Sequence, residues 1–232
     1  MYSKETIAKI KSKLIQNTNE KRQKIRNGEK LKLITSKGNV KIGKSLNVSN
    51  APFITCSNCS ECKYYCYDVK ACLQYSNVLE ARTTNTALLL ENIDNYFSQL
   101  WQVMERRKKN FTLRFHVSGD IINEKHLQYI ILTALKFPNY KIWTYTKNYY
   151  IVNKYIDENG KNAIPDNVSI MFSEWNGLTM PNPHNMPVFA CKMPEDKSER
   201  FNSMYKCPGN CDICKSLNRG CINRESTYTD LH

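Results

Sequence analysis

The chain has 232 residues, a mass of 27.1 kDa, a formal charge of +13 and a mean hydropathy of −0.57, with aromatic residues at 11%. That length suits one domain, or one domain with an appendage, and the aromatic share excludes a disordered composition. No apolar run approaches the ~18 residues of a membrane span. The N-terminal MYSKETIAKIKSKL has neither the apolar stretch nor the cleavage site of a secretory leader. The expected location is therefore cytoplasmic, with no membrane partner.

Residues 3–27 read as a helix. Ser3 can cap it, and Ile7, Ile10 and Leu14 fall on one face. Residues 1–45 hold 13 Lys and Arg against three Glu. This basic region could meet nucleic acid or an acidic protein partner; a solvated surface is the plainer reading. Leu31–Thr35 alternates like a strand, Ser36–Asn39 turns, and Val40–Gly43 is expected to pair back. Residues 50–72 form a cysteine-rich loop. Residues 85–108 read as one long helix with an apolar stripe of Leu88, Leu89, Ile93, Phe97, Leu100, Trp101 and Met104.

A strand–helix rhythm follows. Strands are expected at Thr112–Val117, Lys141–Tyr145, Val168–Phe172 and Pro187–Ala190, with helices at Glu124–Leu135 and Tyr149–Ile156. This spacing predicts an α/β fold: a mostly parallel sheet, or a partial or small barrel, carrying cysteine-rich metal-binding loops. Three parts are expected along the chain. Residues 1–45 form a basic helix and hairpin, 46–193 an α/β core that includes the first cysteine loop, and 194–232 a cysteine-rich metal-binding tail.

Three of the strands run into polar residues. Ser118, Asp120, Thr146, Lys147, Ser173 and Glu174 should meet on the ligand-binding rim that parallel folds build at the carboxyl ends of their strands. The plain alternative for Asp120 is a cap on the next helix. Arg114 and His116 should be buried in a sheet covered on both faces, and so need partners or a cavity.

The chain has ten cysteines, and eight of them form two sets. Cys56, Cys59, Cys62 and Cys66 have C-x2-C-x2-C-x3-C spacing, with Cys72 following. Cys207, Cys211, Cys214 and Cys221 have C-x3-C-x2-C-x6-C spacing, with Cys191 upstream. Cytosolic thiols stay reduced, so disulfides explain them poorly, and inert core cysteines would scatter rather than cluster. For Cys72 and Cys191 taken singly, a core role stands beside a ligand role. The first spacing is that of a ferredoxin run with Tyr67 in place of the usual proline, which is not a ligand. Three short spacings in a row favour an iron–sulfur cluster, expected to be 4Fe-4S, over zinc. The second set suits either metal. A metal-dependent nuclease finds only Asp120 and Glu174 as carboxylate candidates.

The motifs Cys62–Tyr67 (CKYYCY, then Lys70), Arg114–Asp120 (RFHVSGD), Trp143–Lys147 (WTYTK), Asn167–Ser173 (NVSIMFS) and Cys207–Cys214 (CPGNCDIC) appear in an order that resembles the gene 88 product family. This is a family of phage and mobile-element proteins of uncharacterised function. The resemblance spans about residues 50–221 and leaves the basic helix 1–30 outside. It implies a phage protein acting in a bacterial host cell and a core similar to radical-SAM-type barrels, with redox or radical chemistry on an unknown ligand. The radical-SAM loop is C-x3-C-x2-C, however, and Val69 stands where its third cysteine would fall. The competing expectation is a zinc-stabilised, non-catalytic binding protein that turns its basic surface to nucleic acid or a host protein, in an accessory or anti-defence role. Catalytic residues are not assigned.

Overall fold

The computed structural model describes residues 1–56, 58–109 and 111–231. Ser57 of the predicted cysteine loop and His232 of the predicted tail lie outside them. Helix α1 (Lys4–Arg26) starts at the expected cap, where the Ser3 hydroxyl accepts the Thr6 N–H at 3.2 Å. Its buried residues Ile7, Ile10 and Leu14 pack on α2 (Tyr67–Gln74) and α3 (Ser76–Glu91) through Val69, Cys72 and Leu79.

Seven parallel strands form one sheet in the order β1-β2-β3-β4-β5-β7-β6. They are β1 (Leu46–Val48), β2 (Thr112–Phe115), β3 (Lys141–Thr146), β4 (Val168–Glu174), β5 (Val188–Lys192), β6 (Tyr205–Lys206) and β7 (Thr227–Asp230). Through β5 each strand lies beside its predecessor, which is the winding of a barrel wall that stays open. The register aligns Leu46 with Leu113, Leu113 with Ile142, and Ile142 with Val168. Because side chains alternate across a strand, Leu113, Phe115, Ile142, Ile170 and Phe172 share one face. Helices α4 (Ile93–Glu105), α5 (Glu124–Lys136) and α6 (Tyr149–Asn159) bury that face as the main core. On α4, Tyr96, Phe97, Leu100 and Met104 are at most 1% exposed, and each apolar side chain so buried contributes about 1.5–3 kcal/mol.

The opposite face is covered by the C-terminal segment. Trp143 packs there with Ile42 and Ile222, against Val117, Tyr145, Cys211 and Cys221. Helix α7 (Cys211–Leu217) is fastened to the loop before β1: the Cys211 N–H donates to the Lys41 carbonyl at 2.9 Å. The Asp212 carboxylate lies over Gly43, where a Cβ would stand 2.1 Å from Oδ1.

Three expectations are corrected. Residues 31–35 do not form a hairpin strand, because their backbone groups are taken by side chains. Gln99 accepts from the Leu33 N–H and donates to the Leu31 carbonyl, and Asn85 does the same for Ile34. The sheet instead begins at Leu46, and only isolated bridges, Ser36 with Asn47 and Asn39 with Gly43, remain of the hairpin. The long helix over 85–108 is two helices. Asn92, at φ −154° and ψ 82°, breaks the run and caps α4 by accepting the Asn95 N–H at 2.9 Å. The cysteine loop ends early, since Tyr67–Gln74 is helical.

Candidate metal centres and the strand-end rim

The loop between β1 and α2 carries the first cysteine set to the carboxyl ends of the strands. Gly119, at φ +92°, permits this approach: a Cβ there would lie 2.7 Å from the Thr55 hydroxyl and 3.0 Å from the Asn50 Cβ. The Asn58 amide donates to the Lys147 carbonyl at 2.6 Å, and the rings of Tyr65 and Trp175 lie 5.8 Å apart. The four thiols act on one another. Burial pushes Cys56 up to about 12, helped by the charges of Asp120 and Cys66. Burial likewise raises Cys66 to about 11, with Asp68 and Cys62 adding to it. The Cys59 and Cys62 Sγ atoms lie 3.9 Å apart. The Cys59 thiol draws Cys62 below the usual thiol range, with Lys147 and Lys63 nearby, and Cys59 is raised in return by that contact, by burial and by the charges of Cys62, Cys56 and Cys66.

The rim residues are largely brought together. The Asp120 carboxylate accepts from the Thr146 hydroxyl at 2.5 Å, the Lys147 N–H at 2.9 Å and the Ile121 N–H at 2.7 Å. Burial nonetheless raises its pKa from 3.8 to about 6 against these donors. The Lys147 ammonium donates to the Ser173 hydroxyl at 3.2 Å. Asp120 does not cap α5, since the Asn123 side chain accepts the His126 N–H there. Glu174 is turned to an ion pair with Arg200. The Ser118 hydroxyl is buried without a hydrogen-bond partner among the described residues, while its carbonyl accepts from the Asn50 N–H.

The second cysteine set lies against the other sheet face. Burial raises Cys214 to about 11, and Cys207, Cys211 and Cys221 all contribute through charge. The Tyr145 hydroxyl draws the pKa of Cys221 down against burial, and the Tyr205 hydroxyl does the same for Cys214. Hydroxyls directed at sulfur are what a thiolate site recruits around its ligands.

Arg114 lies in charge range of Cys211 and Cys221 of the second set and of Tyr67, which follows the first set in the chain. Its guanidinium lies 4.8 Å from the centre of the Tyr145 ring. Burial would lower its pKa, but Tyr145, Tyr67, Cys211 and Cys221 hold it up. Tyr67 follows Cys66 directly; although 57% of the residue is exposed, burial of its phenol is the main cause of its raised pKa. The partner expected for Arg114 is thus an aromatic and thiolate surround. His116, at φ +56° and 3% exposed, is hydrogen-bonded through Nδ1 to the Thr144 hydroxyl at 2.7 Å. Burial holds it well below the usual histidine range.

Among the described residues, no three His, Cys, Asp or Glu side chains stand closed around a single point. The donor chemistry nonetheless fits a thiophilic metal in both places, with four cysteines in mutual charge range and lysine, arginine or tyrosine groups offsetting the charge. Cys72 is 2% exposed in the core between α1 and α2, with its thiol 3.5 Å from the Asp68 carboxylate. Val69 is fully buried in the same cluster, so the position of a third radical-SAM thiolate is a core position on a helix. Cys191, on β5, lies within charge range of Asp230 and Lys147. No helix among the described residues is long and apolar enough to cross a membrane.

Sheet and sites together define an α/β protein with a parallel sheet, one four-cysteine set beside the carboxyl ends of its strands and a second against one face of the sheet. The chain belongs to the gene product 88 family, whose match covers residues 12–177. The match takes in most of α1, which the motif resemblance left outside, and stops before the second cysteine set. No curated protein and no solved structure matches the chain.

Proposed function

We propose that this protein is an iron–sulfur protein whose cluster is held by Cys56, Cys59, Cys62 and Cys66 beside the strand-end rim. A second metal centre on Cys207, Cys211, Cys214 and Cys221 locks the C-terminal segment onto the sheet. One observation carries the reading: the four cysteines of each set, dispersed over 11 and 15 residues of sequence, fold into mutual electrostatic range. The ferredoxin-like spacing of the first set supports iron and sulfide there. A cluster bound at this position supplies one-electron transfer to a ligand on the rim. Lys147 and Ser173 would orient an anionic or hydroxylated group of that ligand. Asp120 would hold the β2 and β3 ends in place through Thr146.

Zinc in the first set is the second reading, favoured by one distance. Two thiolates on one tetrahedral ion with bonds of about 2.3 Å lie about 3.8 Å apart, close to the 3.9 Å between Cys59 and Cys62. Anaerobic purification with metal and sulfide analysis decides. Brown protein with about four iron and four sulfide per cluster supports the proposal. Colourless protein with stoichiometric zinc and no sulfide overturns the iron–sulfur reading in favour of zinc.

A further inference from the structure

A cavity of about 420 Å³ opens where α1 meets the first cysteine loop; Lys4, Lys11, Lys63, Phe53 and Tyr64 line it together with Cys56 and Cys59 of the first set. Its size falls in the range of small-ligand sites. Five of the eight cations of α1 have defined surroundings. Lys21 pairs with Glu80, and Arg22 and Arg26 pair with Glu91, all on α3. Lys4 and Lys11 are seven residues apart and so share a face; with Lys63 from the turn at Glu61–Tyr65, they carry no ion pair among the described residues. Three lysines from two elements thus line one concavity, and among the described residues none of them is paired with a carboxylate. The rest of the lining is aliphatic, aromatic and thiol. Phe53 is held at φ +66°, a conformation a non-glycine residue keeps only when its surroundings impose it. The Lys63 ammonium stands 5.0 Å from the centre of the Tyr64 ring. A second cavity, of about 450 Å³ near Asp94 and Lys125, has no such character, because that lysine already faces that aspartate at 3.5 Å.

We infer that the α1 cavity binds a nucleotide unit, an aromatic base carrying phosphate, next to the first cysteine set. Inorganic phosphate would use the lysines and leave Phe53, Tyr64 and Ile7 bare; an uncharged ring would do the reverse. A base–phosphate unit uses both, by stacking and by charge. The unit is either a free nucleotide or part of a single strand.

The test is equilibrium binding of adenosine 5′-monophosphate, adenosine, inorganic phosphate and a deoxythymidine decamer to the full-length protein, with metal content measured on the same sample. The monophosphate or the decamer should bind at least about tenfold more tightly than adenosine or phosphate. Binding should weaken as salt rises from about 50 to about 200 mM. Lys4→Glu and Lys11→Glu should each weaken it about tenfold, whereas Lys13→Glu, the same charge change at an exposed position of α1 outside the cavity lining, should leave it within about twofold. Equal affinity for monophosphate and decamer identifies a free nucleotide; a much tighter decamer identifies a strand. The inference is overturned if neither probe binds below about 1 mM, or if Lys13→Glu is as damaging as the cavity substitutions. Anaerobically purified protein that contains no iron or sulfide yet binds the probe would overturn the iron–sulfur proposal and leave this one standing.

Discussion

Arg82→Met removes one half of a buried ion pair that holds the helix following the first cysteine set. Asp68, in the first turn of α2 and 1% exposed, receives the Arg82 guanidinium through Nη2 at 2.8 Å and through Nε at 3.0 Å. Without Arg82 the carboxylate keeps, among the described residues, only the Cys72 thiol at 3.5 Å as a hydrogen-bonding side chain. Leaving such a charge unpaired costs about 3–5 kcal/mol, a large part of the 5–15 kcal/mol typical of a folded protein. At about 2–4 °C per kcal/mol for a chain of this size, the melting temperature should fall by about 6–20 °C. Cys66, at the N-cap of α2, should lose its position, so metal content should fall as well. The assay is urea and thermal unfolding with metal content measured on each sample, run beside the double variant Asp68→Leu with Arg82→Met. That double variant should recover at least about 2 kcal/mol, because it buries no lone charge. An Arg82→Met protein within about 1 kcal/mol of the parent, or a double variant no better than the single, would show that water or another cation serves Asp68 and that the pair does not position α2.

Asp120 makes stability depend on pH. Its folded pKa of about 6 lies above the ordinary 3.8, so the folded state holds the proton more tightly. Its contribution is therefore fully present below about pH 4, is lost as pH rises to about 6, and amounts to about 3 kcal/mol. Asp120→Asn should flatten that slope in unfolding curves, and parallel curves for the two proteins would contradict the argument. Cys59→Ala combined with Cys62→Ala should yield insoluble protein, because metal binding supplies folding energy; a soluble double variant of unchanged stability removes the structural role of that set. Cys72→Ala should keep the full metal stoichiometry, and loss of a metal equivalent would make Cys72 a ligand. Trp143→Ala, at a site 1% exposed beneath the second set, should cost about 3–5 kcal/mol and empty the second centre while sparing the first. Loss of both metals together would show that the two centres form one unit.

Local pattern was enough to read most of the fold. The α1 cap, the two central helices α5 and α6, and strands β2 to β5 follow from apolar periodicity and strand–turn–helix spacing. So does the gathering of Asp120, Thr146, Lys147 and Ser173, because parallel winding brings the carboxyl ends of neighbouring strands together whatever the loops contain. The errors fell where long-range partners overrule local preference. Leu31–Thr35 looks like a strand, yet Gln99 and Asn85 satisfy its backbone before another strand can. The break at Asn92 lies inside an apolar stripe, and there periodicity carries no signal for a cap.

The sequence by itself determined the chemistry available: eight clustered thiols in two spacings, a parallel α/β core between them, and a basic N-terminus, since residue type and short-range spacing are local properties. Only the tertiary structure decided where that chemistry stands. It placed the first set on the rim and the second against one sheet face, near Arg114. It sent Cys72 and Val69 into the core, paired Lys21, Arg22 and Arg26 of α1 with α3, and set Lys4 and Lys11 in the lining of a cavity. These assignments depend on which distant segments share a surface. Packing of the whole chain settles that, and no window of sequence contains it.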